Sequence, residues 1–140
     1  MPYPHEYTVA TDKFAAFLND LKKEAGFGSS HMAYTMAQGV FQVFRRRVGF
    51  KDAITFAGVL PVGLRALFVD DWDVEEERLP FTDIEKMNRE VRDLRPDHNF
   101  ATDKAIQQVA AVLKKHVDAE KLRKVLEGIS GEALTFWHMD

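Results

Sequence analysis

Ser29-Ser30-His31-Met32-Ala33-Tyr34-Thr35-Met36-Ala37-Gln38-Gly39-Val40-Phe41-Gln42-Val43-Phe44-Arg45-Arg46-Arg47-Val48-Gly49 is the stretch on which the fold turns. Met32, Met36, Val40, Val43 and Phe44 fall on one stripe of a helix, and Ala33, Ala37 and Phe41 widen that stripe. So broad an apolar face predicts a central helix packed on more than one side, running to about Val48. Ser29 or Ser30 supplies an N-cap, and Gly49 closes the segment after three arginines.

Helical spacing continues outward in both directions. On the N-terminal side, Asp12 to Ala25 carries Phe14, Phe17, Leu18 and Leu21 on one face, with Thr11 as cap and Gly26 as a left-handed terminator. On the C-terminal side, Lys51 to Val59 presents Ala53, Ile54 and Ala57, with Leu60 following. Pro61 suits the first turn of the next helix, which turns Leu64, Leu67 and Phe68 inward. Asp70 to Pro80 reads as a solvated acidic linker, its carboxylates lacking an evident buried partner.

Beyond the linker, Thr82-Asp83-Ile84-Glu85 has the form of a capping box, with Thr82 as N-cap. Ile84, Met87 and Val91 supply the buried face that follows, and Pro96 ends it. A helix over Thr102 to Val117 aligns Ile106, Val109, Ala110 and Leu113; Asp118 caps another bearing Leu122, Val125, Leu126 and Ile129. Leu134, Phe136 and Trp137 close the chain's apolar pattern.

The two halves repeat one another. Shifted by 69 positions, Leu60 falls on Ile129, Phe68 on Trp137, and Gln38, Val40 and Val43 on the identical Gln107, Val109 and Val112. With one further residue of shift, Phe14 and Phe17 meet Ile84 and Met87. The fold expected is all-α, a tandem-repeat bundle of about eight helices in two related halves. Residues 1–10 form an N-terminal extension, 11–69 the first half, 70–81 the linker, and 82–138 a second half packed on the first as one domain. Phe68 and Trp137 should fill matching pockets, each built by the long helix and the short helix of its own half.

Leu60-Pro61-Val62-Gly63-Leu64-Arg65-Ala66-Leu67-Phe68 resembles a recurring segment of the bacterial family called domain of unknown function 2267. The second copy, Ile129 to Trp137, carries Ser130 in place of the proline. The likeness runs from about Phe14 to Trp137 and implies an all-helical bacterial cytosolic protein. It brings no catalytic residues with it.

Composition narrows the function. The 140 residues are 46% hydrophobic and 29% charged, which suits a folded globular chain. A net charge of −3, with cations scattered among acids, argues against nucleic acid and anionic membranes as partners. The lack of cysteine removes disulfide and thiolate chemistry and suits a reducing compartment. Met1 to Glu6 has no signal-peptide character, and the apolar stretch from Ala57 to Val69 is interrupted by Pro61 and Arg65. The expected location is the cytoplasm, with no membrane contact.

Candidate chemistry is sparse. The run from Asp71 to Glu77 has Glu76 where a calcium loop needs glycine. His5, His31, His98, His116 and His138 include no pair at zinc-enzyme spacing, and Gly26-Phe27-Gly28 lacks the third glycine of a dinucleotide loop. No nucleophile motif or acid–base pair is recognisable. The reading is therefore non-enzymatic, with no catalytic residue, metal or cofactor.

Binding candidates are the basic helix ends Arg45, Arg46, Arg47, Lys114 and Lys115, the last two followed by His116. The helix dipole explains such charges without a ligand. The leading expectation is a helical interaction module that binds a protein partner or a second copy. Trp72, Tyr3 and Tyr7 are its candidate aromatic anchors. The alternative is an anionic ligand or nucleic acid gripped by the basic ends.

Overall fold

The computed structural model describes residues 3–95, 97 and 100–140. Met1 and Pro2 of the N-terminal extension, the expected stop at Pro96 and the candidate His98 lie outside the described residues. Among the described residues there are nine helices and no strand: α1 His5–Thr8, α2 Ala10–Ala25, α3 Ser30–Arg45, α4 Phe50–Ala57, α5 Val62–Val69, α6 Ile84–Asp93, α7 Ala105–Leu113, α8 Ala119–Ile129 and α9 Gly131–Phe136. The chain is an all-α bundle.

Several helix ends fall where local chemistry places them. The Ser29 hydroxyl accepts from Met32 N, Asp118 accepts from Glu120 N and Lys121 N, and Gly26 sits at φ 71° with its N–H on the Lys22 and Lys23 carbonyls. Other ends differ from expectation. Asp83, not Thr82, caps α6 by accepting from Lys86 N. Thr11 lies inside α2, which starts at Ala10, and Pro4 precedes a short helix inside the supposed extension. Gly49 stands at the N-terminus of α4 rather than ending α3, which stops at Arg45. α7 is shorter than its apolar spacing suggested, since Ala105 is its first helical residue.

α3 is the hub, as its broad apolar face requires: it packs on α2, α5, α6 and α7. Eleven of its residues are buried, including Gln38, Gly39 and Arg45. The contacts between the halves are reciprocal. α2 packs on α7 as α6 packs on α3, while α3 meets α7 and α4 meets α8. Helix starts also correspond, with α4 and α8 beginning at 50 and 119, and α5 and α9 at 62 and 131.

A cluster of aromatic rings occupies the middle. Phe41, Phe44, Phe56, Phe68, Phe136 and Trp137 are all essentially inaccessible to solvent. Phe68 sits on Phe41 of α3 and Phe56 of α4, the pocket expected for it. Trp137 does not use a separate pocket of its own half. Its ring stacks on Phe56 at 5.5 Å and meets Phe41 and Phe44, all from the first half. The second half offers no phenylalanine on α7 or α8, so the large indole ring fills the space between halves. Its Nε1 is buried with no acceptor.

Candidate functional site

The basic helix ends are not free patches. Arg45 is 3% exposed, and its Nη1 donates to the carbonyls of Phe68 (2.8 Å) and Asp70 (2.9 Å), its Nη2 to that of Asp71 (3.0 Å). These carbonyls lie at the C-terminal end of α5, where no helical N–H remains to satisfy them. The Trp72 ring lies over the guanidinium at 5.2 Å. Burial pushes the Arg45 pKa below the ordinary arginine value, and the nearby Glu76 carboxylate opposes that shift. Lys114, 69 positions on, does similar work: its Nζ donates to the His138 carbonyl at 2.7 Å, just past α9. Burial and then Arg123 lower the Lys114 pKa, while Asp140 raises it.

Arg47 makes the connection between halves. It is 5% exposed, forks onto both Glu90 oxygens of α6 at 2.8 and 3.0 Å, and also donates to the carbonyls of Val43 and Pro80. Its counterpart His116 lies 2.6 Å from Asp20 of α2. Each long helix is thus followed by a side chain that bonds to the leading helix of the other half. Arg46 bonds Glu76 at 3.2 Å and lies 3.6 Å from Glu90. Of the five basic candidates, Lys115 alone is exposed.

The acidic segment is a strap rather than a solvated linker. Asp70 accepts from the Gln38 side chain, Glu76 accepts from Arg46, and Leu79 N donates to the Arg46 carbonyl at 3.1 Å. Trp72 is half-buried against Phe68 and Phe50, so it is not an exposed anchor. Tyr3 and Tyr7 are exposed. His31 is exposed and stacks on Tyr34.

The accessible features of this surface are apolar hollows between helices. One, of about 610 Å³, lies over α4 and α5 and is lined by Tyr7, Ile54, Val62, Ala66, Val69 and Trp72. The larger, about 750 Å³, lies between the start of α6 and α9. Phe81, Ile84, Met87, Leu134 and Phe136 supply its apolar walls. Every Asp, Glu, Lys or Arg lining it is acidic: Asp83, Glu132 and Asp140. The Lys86 backbone N–H holds the Asp83 carboxyl below the ordinary aspartate value, and the Thr135 hydroxyl does the same for Asp140.

Sequence reasoning missed this groove because each wall residue reads as ordinary helical core. One signal was present. Gly63 corresponds to Glu132 under the 69-residue shift, and Phe14 to Ile84 under 70. A Cβ on Gly63 would stand 2.8 Å from the Phe14 ring, so α2 and α5 close there. A glutamate at the corresponding place on α9 cannot close on α6 in that way.

Among the described residues, no group of three or more His, Asp or Glu side chains is arranged to hold a metal ion. No helix among them is long and apolar enough to cross a membrane. The class defined by fold and surface is an all-helical bundle in which Arg45 and Arg47 are spent on internal carbonyls and a carboxylate, and whose two larger open hollows are apolar. The profile of the uncharacterised conserved protein family DUF2267 matches residues 14–135, and the chain belongs to that family. Comparison with curated proteins gives no match.

Proposed function

We propose that the chain is a non-catalytic helical interaction module of two related halves, working in the cytoplasm and binding another protein. The observation that carries this reading is the α6/α9 groove, where Ile84, Leu134 and their neighbours leave a large apolar hollow open to solvent. A bundle of this size with a well-filled aromatic core has no stability reason to leave such a surface unfilled. Support also comes from the basic helix ends: Arg45 and Arg47 are buried and bonded within the fold, so neither is presented to phosphates.

The test is co-purification from the native host with wild-type protein and with Leu134→Asp, after circular dichroism shows the variant folded. A bound protein present with wild type and missing with the variant supports the module. If nothing bound depends on Leu134, and the chain sediments as a monomer at every concentration, the proposal fails.

A further inference from the structure

The two halves treat corresponding surfaces differently, and that difference indicates what the groove receives. In the first half, the outer face of α5 has a helix beside it from the chain itself. α1 lies there, with Glu6 bonded to Arg65 of α5 at 3.3 Å and Tyr7 lining the hollow that Val62, Ala66 and Val69 share. Under the 69-residue shift those last three positions become Gly131, Thr135 and His138 of the second half, all of which line the open groove. The segment corresponding to α1 cannot cover it. Residues 75–78, which stand 70 positions beyond α1, belong to the strap, and Glu76 is held on Arg46 of α3.

The charge is also reversed. Over α5 an acidic helix meets the cation Arg65, whereas the α6/α9 groove presents Asp83, Glu132 and Asp140 and no Lys or Arg. Apolar walls with a rim of one sign select an amphipathic segment carrying the opposite sign on its flanks. We infer that the α6/α9 groove docks a helix of another protein, apolar at helical spacing and flanked by lysine or arginine.

This inference rests on the interaction-module reading and adds the chemistry of the partner. Backbone and hydroxyl donors hold the Asp83 and Asp140 carboxyls below the ordinary aspartate value, with Lys86 pairing Asp83 at 3.7 Å and Lys114 near Asp140 from outside the lining. The occupant approaches α9 along the face that carries Glu132, where a basic side chain forms an exposed pair.

The probe is a labelled amphipathic peptide of about 14 residues with leucines at positions i, i+3, i+4 and i+7 and lysines on its flanks. A twin carries glutamates in place of those lysines. Fluorescence anisotropy with the full chain should give about tenfold tighter binding of the lysine peptide at about 50 mM salt, the combined effect of two or three exposed pairs. That preference should shrink at about 300 mM salt. Glu132→Lys, at an exposed position in the first turn of α9 that leaves the Ser130 cap in place, should cut or invert the preference, and the amide shifts caused by the peptide should centre on Ile84, Leu134 and Phe136. Equal binding of the two peptides in the groove overturns the basic-helix inference while leaving the module intact. Self-association abolished by Leu134→Asp assigns the groove to a second copy and also overturns it. Binding of neither peptide overturns the inference. Only if the co-purification test fails as well does the module reading fall with it.

Discussion

The seam between α2 and α5 and the groove between α6 and α9 occupy corresponding places in the two halves, yet one is shut and the other open. Two residues explain most of the difference. At the seam, Gly63 lets the Phe14 ring approach its backbone, whereas the groove has Glu132 and Ile84 at those positions. A missing side chain allows close helix packing, and a charged one prevents it because its carboxylate must stay in water. The comparison teaches that two similarly placed helix pairs can close into a seam in one case and leave an open apolar groove in the other, with glycine at the contact in the first and glutamate in the second.

Seven substitutions break or sharpen that comparison, beginning with the largest effect. Phe68→Ala and Trp137→Ala remove corresponding anchors, and each should cost about 3–5 kcal/mol in denaturant unfolding. Because Trp137 bridges into the first half, its loss should uncouple the halves and give two separate transitions; one cooperative transition in the variant would contradict the shared cluster. Trp137→Phe should cost much less than Trp137→Ala, since it also removes the orphan indole N–H.

Arg47→Ala comes next. It leaves the largely covered Glu90 with only the longer 3.6 Å contact to Arg46 and removes a fork that joins α3 to α6, for a loss of about 3 kcal/mol. His116→Ala, at the corresponding tie to the more exposed Asp20, should cost under about 1 kcal/mol. Equal losses would show that the two ties carry equal weight. Gly63→Ala should destabilise by about 1–3 kcal/mol, because the added methyl meets the Phe14 ring at van der Waals overlap. Glu132→Ala, at the corresponding site in the groove, should stay within about 0.5 kcal/mol. Similar values at the two sites would remove the closed-against-open distinction.

The smallest effect is the titration of the groove's rim. Asp83 and Asp140 are depressed below their unfolded value of about 3.9, so their contribution is complete above that pH and is lost as pH falls through the lower folded values. Carboxyl NMR should place both midpoints below that of a free aspartate. A midpoint at or above it would remove the persistent negative rim.

The acidic strap shows how a local reading can miss long-range bonding. Glu75, Glu76 and Glu77 are alike in sequence, but Glu76 alone among them bonds to Arg46. Glu76→Gln should therefore lower stability more than Glu75→Gln or Glu77→Gln. The same lesson comes from α7. Its first turn has no local side-chain cap, and Asn88 of α6 accepts from Ile106 N while donating to Gln107. A buried asparagine in an amphipathic helix gave no hint of which distant N–H it would satisfy.

What the sequence by itself determined was the helices from α2 to α9, their apolar faces, and the caps at Ser29, Gly26 and Asp118. These depend on spacing and on bonds within a few residues, so they are written locally. Only the tertiary structure decided that Arg45 and Lys114 finish α5 and α9, that Arg47 and His116 reach across to the other half, and that α9 stands apart from α6. Each of those outcomes depends on which desolvated groups meet in three dimensions. A buried cation takes the carbonyls or carboxylate brought beside it, and a groove exists only where two faces fail to close.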